Sequence, residues 1–311
     1  MNNNSKIPIL FLIFNRPDVV IVAMESIREY KPDRLYIAAD GPRISKIGED
    51  KKCEDTRRAV LDMIDWTCEV KTLFRTENLG CAKAVNSALD WFFENEEFGI
   101  IIEDDMQLSQ DFYRFAEIID SRYRNNERIM SVNAQYPYRE SVIKDCYSFS
   151  SMASPWGWAT WRRAWKKMDM SMSLFPKNSL RKHIKSFGFT RGLLLYFYYW
   201  RHDYRLITSG GDISSWATRW AFNIFANDGL VIVPSRNLAL NVGCNGQQGA
   251  HYNSDDEDLY SYLKIEKLPD EIIHTSKIEL DKKLCKIENK DFIRIRFKGL
   301  LKKIRKRQFH R

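Results

Sequence analysis

The sequence predicts an α/β fold in which a mostly parallel sheet is flanked by helices. Three observations predict it. Short apolar runs alternate with amphipathic stretches over residues 1–125, the runs end in turn signals, and the amphipathic stretches carry apolar residues at three-and-four spacing.

Taken in order, "IPILFLIF" (residues 7–14) reads as a buried strand, and Val19 to Tyr30 as a helix opened by Pro17 and Asp18. "RLYIAADG" is a second strand that ends at the turn Asp40-Gly41-Pro42. A polar, charged loop over residues 43–52 precedes a helix near Glu54 to Trp66, and "EVKTLFRT" is a third strand. The spacing of Val85, Ala88, Leu89 and Phe92 predicts a helix over Cys81 to Glu94. "FGIIIEDD" is a fourth strand, followed by a helix over Ser109 to Tyr123 with Phe112, Phe115 and Ile119 on one face. Ligands of such sheets sit at the carboxyl ends of the strands. Here those ends carry Asn15-Arg16, Asp40, Arg75 to Asn78, and the triplet Glu103-Asp104-Asp105.

Residues 126–252 differ in texture. "SPWGWATWRRAW" holds Trp156, Trp158, Trp161 and Trp165, and "LLLYFYYWRHDYRL" and "SSWATRW" continue the aromatic density. From residue 253 the text turns polar and lysine-rich, which predicts a C-terminal extension over 253–311 ending in a basic tail, after a main domain at 1–252 divided into a nucleotide-binding half (1–125) and an acceptor half (126–252).

At 311 residues and 44% hydrophobic content, the chain can bury a substantial core, and disorder is excluded. The apolar run near the start spans only eight residues and lacks signal-peptide grammar, and no stretch reaches the roughly 18 to 20 residues of a membrane span. A cytoplasmic chain is expected, with its six scattered cysteines reduced. Residues 292–311 carry nine Lys or Arg and no acid; the chain totals +8, so everything before them sums to −1. In this tail Phe297, Leu300, Leu301 and Ile304 recur at helical spacing among Lys302, Lys303, Arg305, Lys306 and Arg307, the pattern of a helix lying on anionic lipid. A solvated terminus and a nucleic-acid patch are the other readings of the same charge; nucleic acid is not the expected partner.

Clustered carboxylates at the end of a buried strand need compensation, and a hard divalent cation supplies it with one or two protein carboxylates, water and phosphate oxygens. Equally, Asp104 or Asp105 can cap the next helix, with the triplet a solvated turn.

The ordered blocks "PILFLIFNRPD", "LYIAADGPR", "RTENLGCAKAVNSALDWFF", "GIIIEDDMQLSQDFYRF", "SPWGWATWRRAW", "SWATRW" and "GLVIVPSRNLALNVGCNGQQGAH" resemble bacterial nucleotide-sugar transferases of the glycosyltransferase A (Rossmann-like) fold, family-2 type. The "EDD…DF" block is similar to that of the N-acetylglucosaminyltransferase I group. The resemblance covers about residues 6–252.

It implies metal-dependent, inverting transfer from a nucleoside diphosphate sugar, with a UDP-sugar (UDP-GlcNAc first) as donor, Mn²⁺ or Mg²⁺ as cofactor, and a glycan or lipid-linked glycan of a bacterial surface polysaccharide as acceptor. By this carry-over Asp105 binds the metal, and Glu103 and Asp104 lie against ribose and sugar. Asn15, Arg16 and Asp40 lie by the nucleotide, while Gly80 opens the helix of the "ENLG" turn, with Asn78 beside it. Lys83, and more remotely Arg75, meet the diphosphate. His251 corresponds to a late histidine that serves some members as a second metal ligand. A base should come from the second half, where "SSWATRW" lacks the carboxylate the pattern calls for. Asp212 is the nearest candidate, with Asp203 and Asp228 in reserve. Trp156 and Trp158 are expected at the acceptor, and Trp161 and Trp165 in packing. Without a base, the same fold serves as a sugar-nucleotide-binding or lectin-like protein.

Overall fold

The computed structural model describes residues 5–177, 191–211, 215–244 and 262–309, beyond residue 295 as backbone only. The first half follows the predicted alternation: β1 (Ile9–Ile13), α1 (Pro17–Tyr30), β2 (Arg34–Ala39), α2 (Glu49–Asp62), β3 (Glu69–Phe74), α3 (Cys81–Asn95), β4 (Phe98–Glu103). After β4 come β5 (Met106–Leu108), α4 (Gln110–Tyr123), β6 (Ile129–Asn133), β7 (Tyr147–Ser150), β8 (Trp158–Trp161) and α5 (Arg162–Trp165). The rest comprises α6 (Arg191–Thr208), α7 (Trp216–Ala226), β9 (Leu230–Pro234), β10 (Ala239–Asn241) and α8 (Lys282–Phe309).

Eight strands form one sheet in the order β3-β2-β1-β4-β8-β6-β9-β7, and β10 pairs with β5 in a second, two-stranded sheet. β1 runs parallel to β2 and β4 in the registers Ile9↔Leu35 and Ile9↔Ile100, and β8 and β7 run against their neighbours. The sheet is therefore mixed and mainly parallel. β8 joins β4 directly, so the two halves divided in the sequence share one sheet.

Complete burial explains why β1 and β4 read as unbroken apolar runs: every residue of Ile9–Ile13 and of Phe98–Ile102 is buried. Helices complete the core in two groups, α1 against α2 and α4, and α3 against α5 and α7. α1 starts with Pro17 in its first turn, where a missing N–H has no cost, and stops at Lys31, whose left-handed conformation accommodates the exit. α2 begins five residues earlier than the apolar pattern predicts, after Gly48 at φ 77°, and so absorbs part of the charged loop. α4 is capped by Ser109, whose hydroxyl accepts from the Asp111 N–H, so neither Asp104 nor Asp105 serves as a helix cap. A strand, β5, intervenes instead.

The tryptophans of the second half are core material. Trp158 stacks on Trp216 at 5.5 Å, and Trp165 meets Trp220 at 5.2 Å. Trp161 and Trp165 satisfy their indole N–H groups on Asp120 and Asp90. A smaller aromatic cluster, Phe175, Trp200, Phe222 and Phe225, ties α6 to α7.

The C-terminal segment packs on the core and on the sheet edge. Leu268, Ile272 and Leu284 are buried in the main core, the Asp281 N–H donates to Phe149 O on the edge strand β7, and Phe292 of α8 stacks on Tyr196 of α6 at 3.6 Å. α8 carries the predicted helical tail to Phe309. No helix among the described residues is long and apolar enough to cross a membrane. Cys53, Cys68, Cys81, Cys146 and Cys285 are free.

Candidate functional site

A cavity of about 610 Å³ opens at the carboxyl ends of β1, β2, β3 and β4. Asn15, Arg16, Asp40, Arg75, Asn78, Gly80, Glu103 and Asp104 line it, together with Arg43, Lys52 and Cys81, Ala84, Val85 and Ala88 of α3. Parallel strands fan the loops that follow them into one crevice, so residues as distant in sequence as Asn15 and Glu103 meet there.

Asp40 staples the floor of this crevice. Its carboxylate accepts from the N–H groups of Gly41, Leu79 and Gly80, each at 3.0 Å, and from Asn78 Nδ2 at 3.1 Å. Four donors fill both oxygens, so Asp40 fixes the Asn78 to Gly80 turn rather than presenting a free acceptor. Gly41 has to be glycine because a Cβ there would lie 2.4 Å from the Glu77 carbonyl carbon. Gly80 sits at φ 77° and opens α3.

At the rim, Asn15 Nδ2 donates to Glu49 Oε1 at 2.8 Å, and the guanidinium of Arg43 holds both oxygens of the same carboxylate. Those hydrogen bonds from Arg43 pull the Glu49 pKa down to about 2, overriding its burial. Arg43 also lies over the Phe14 ring at 5.6 Å. Arg75 Nη2 donates to Ser87 Oγ at 2.8 Å, and burial lowers the pKa of this guanidinium, against the pull of Asp40. Arg43, Glu49 and Lys52 were hidden within what reads as a solvated charged loop; the signal available was Glu49 directly after Gly48, at the start of a helix.

The acid triplet already holds one cation. Arg16 Nη2 pairs with Asp104 Oδ1 and, at 2.9 Å, with Asp105 Oδ2, and Arg16 Nε reaches Asp104 Oδ2 at 3.4 Å. Burial opposes the charge on Arg16, but Asp104 and Asp105 outweigh it and raise its pKa. One guanidinium does not balance three carboxylates. Desolvation, with Asp105 and Asp104 adding repulsion, pushes Glu103 up to about 8, and desolvation partly offset by Arg16 pushes Asp104 up to about 6. Asp105 lies outside the cavity lining, behind Arg16, with Val242 N–H donating to its carbonyl and Gly243 packed on its side chain. The antiparallel β5–β10 pair, register Asn241↔Met106, brings "NVGC" to this point.

Among the described residues, no three His, Cys, Asp or Glu side chains converge into an all-protein metal cage. A hard cation held by one carboxylate and completed by water and phosphate oxygens needs less. With Arg16 as the one guanidinium on three acids, the triplet keeps carboxylate oxygen to spare, the donor type such a cation takes.

Other expected site residues fall elsewhere. Trp158 is 1% exposed and stacked in the core, so it has no face to offer an acceptor; burial among Trp216, Trp220 and Trp165 is the reason. Trp156 is half-buried and packs on the core. Lys83, on the first turn of α3, is exposed and does not line the cavity. Asp203 on α6 faces His202 Nδ1 at 3.3 Å, and Asp228 precedes β9, which is separated from the crevice strand β4 by β8 and β6. Asp212 and His251 lie outside the described residues.

No protein-family model matches the chain. No curated protein matches it either. Among solved structures, UDP-glucose pyrophosphorylase complexed with UDP-glucose is 9% identical over 77% of this chain and 94% of that chain, with a TM-score of 0.38. Mouse xyloside xylosyltransferase 1 in its apo form is 10% identical over 83% of this chain and 94% of that one, TM-score 0.36. HddC from Yersinia pseudotuberculosis, complexed with GMP-PN, is 13% identical over 42% of this chain, TM-score 0.30, and the match spans 60% of HddC. Superpositions this loose carry no argument about the chemistry, which has to come from the crevice.

Proposed function

We propose that this protein is a glycosyltransferase of the glycosyltransferase A type that takes a sugar from a nucleoside diphosphate sugar and places it on a hydroxyl of a glycan or glycolipid. The observation that carries the reading is the crevice at the ends of four successive parallel strands, where four cations, Arg16, Arg43, Lys52 and Arg75, share the lining with the acids Glu103 and Asp104. A diphosphate answers the cations, and hydroxyls of ribose and sugar answer Glu103 and Asp104.

In this reading Asp105 holds Mn²⁺ or Mg²⁺, with His251 as a second ligand. Bound there, the cation supplies electrostatic stabilisation for the leaving diphosphate. The chain's own work is positional. Asp40 keeps Asn78 and Gly80 in place beneath the nucleotide, and Arg75 lies on the diphosphate side, its guanidinium oriented by Ser87. Asp212 takes the proton from the acceptor hydroxyl as that oxygen attacks the anomeric carbon with inversion. Trp156 contributes to the acceptor side. The product belongs to a bacterial surface polysaccharide, and the basic end of α8 rests on the anionic inner face of the cytoplasmic membrane, each cation adding about 1 kcal/mol near the surface.

The test is a calorimetric and hydrolytic screen of nucleotide sugars with Mn²⁺, on wild type, Asp105→Ala and Asp212→Asn. The expected result is metal-dependent UDP binding and turnover in wild type, loss of both in Asp105→Ala, and loss of turnover alone in Asp212→Asn. Binding and transfer that both survive in Asp105→Ala reject the metal assignment. Binding without turnover on any donor and acceptor makes the chain a sugar-nucleotide-binding protein instead.

A further inference from the structure

We infer that Arg16 is an internal counter-ion that occupies the carboxylate cluster until the donor arrives, so that nucleotide binding and metal entry are coupled through its side chain. The inference rests on the nucleotide-sugar reading of the crevice and adds a residue that links its two ligands.

The geometry supplies four steps. First, Arg16 Nη2 sits 2.9 Å from Asp105 Oδ2, on the carboxylate that a divalent cation would need. A cation approaching Asp105 therefore competes with a guanidinium already in place. Second, Arg16 Nη1 is buried with no hydrogen-bond partner. A buried donor left unpaired is costly, and a phosphate oxygen in the crevice would relieve it.

Third, the guanidinium has one direction to go. Gly243 backs the pair closely enough that a Cβ on it would fall 3.0 Å from Arg16 Nη1 and 2.9 Å from Asp105 Oδ2. The other side is the cavity that Arg16 itself lines. Fourth, the backbone of Arg16 is anchored, since its carbonyl accepts from the Val20 N–H at 3.1 Å and Pro17 follows it at the start of α1. Side-chain rotation into the crevice is thus the available movement. It would transfer a planar fork of donors from two carboxylates to a diphosphate, the anion such a fork also fits.

Coupling of this kind is reciprocal, so each ligand should tighten the other by the same factor. The experiment is isothermal titration of the full chain with Mn²⁺ alone, with UDP alone, and with each in the presence of the other, for wild type, Arg16→Gln and Arg16→Lys. In wild type, saturating UDP should tighten Mn²⁺ about tenfold or more. In Arg16→Gln, Mn²⁺ alone should bind about tenfold tighter than to wild type, and the tightening by UDP should largely vanish. Arg16→Lys, which keeps the charge but cannot bridge both carboxylates, should fall between the two and guards against a Gln variant that fails to fold. Mn²⁺ affinity in both variants equal to or weaker than wild type, or coupling that persists undiminished, overturns the inference while the nucleotide-sugar reading stands. Absence of Mn²⁺ binding in every protein even with UDP overturns both.

Discussion

Ser150 Oγ donates a 2.5 Å hydrogen bond to Glu288 Oε2 and so joins the edge strand β7 to the first turns of α8. Tyr138 adds a second, longer bond to the same carboxyl, and Ser148 Oγ reaches Asp281 Oδ2 at 2.9 Å just before α8 begins. The C-terminal segment thereby covers a sheet edge that would otherwise present unpaired backbone.

This contact makes stability depend on pH. Burial pushes Glu288 up to about 7 in the folded protein against an ordinary value of 4.5, with the hydrogen bonds from Ser150 and Tyr138 opposing it. The folded chain therefore keeps a proton that the unfolded chain gives up. Stability from this group is complete below pH 4.5 and declines as pH rises to about 7, by about 3 kcal/mol at most. Glu288→Gln keeps an acceptor for Ser150 and removes the titration. Thermal melts from pH 5 to 8 should show wild type losing ground to the variant across this range; two parallel curves would refute the role.

The Asp40 staple predicts a different loss. Asp40→Ala leaves the N–H groups of Gly41, Leu79 and Gly80 without their acceptor, and this should cost about 3 kcal/mol in urea unfolding along with most of the UDP affinity. Asp40→Asn, which retains one acceptor oxygen, should lose less. A stability change under about 1 kcal/mol for the alanine variant would mean that the turn holds itself.

Trp158 and Trp156 separate packing from recognition. Trp158→Ala opens a large cavity beside Trp216, Trp220 and Trp165 and should cost about 3–5 kcal/mol of stability. Trp156→Ala, at a half-buried site, should cost much less and affect acceptor use instead. Equal melting temperatures for Trp158→Ala and wild type would contradict the core assignment.

How far these contacts are legible in the sequence depends on what fixes each one. β1, β2 and β4 announce themselves because burial makes them nearly unbroken apolar runs, whereas β3 is an exposed edge strand, and parallel pairing of the four then puts Asn15, Asp40, Asn78 and Glu103 at one end. Side-chain partners do not follow from placement. Nothing in "ADGPR" or "ENLG" says that Asp40 spends its oxygens on the other loop, and nothing in "FNRPD" says that Arg16 turns toward Asp104. Three-residue strands such as β5 and β10 are too short for a periodic signal, although they carry Gly243 to Asp105. Aromatic density marks Trp158 as important and is silent on burial. A lysine-rich composition after residue 253 masks single apolar anchors, Leu268, Ile272 and Leu284, which suffice to dock the segment.

Gly243 offers the sharpest probe of the acid cluster because it touches the site only by contact. An added Cβ would lie 2.9 Å from Asp105 Oδ2 and 3.0 Å from both Asp105 Cβ and Arg16 Nη1, closer than such atoms normally approach. Gly243→Ala should therefore shift Asp105 by a few tenths of an ångström, with about 1–3 kcal/mol of overpacking strain shared between the cluster and the β5–β10 pair. A ligand carboxylate moved by that amount no longer matches a cation and a diphosphate together, so Mn²⁺-dependent UDP affinity should fall about tenfold or more. Metal-free UDP binding, which relies on Arg43, Lys52 and Arg75, should change far less. Calorimetric titration with and without Mn²⁺ measures both quantities on one sample. Equal losses in the two conditions would place Gly243 in the general scaffold of the crevice and detach it from Asp105.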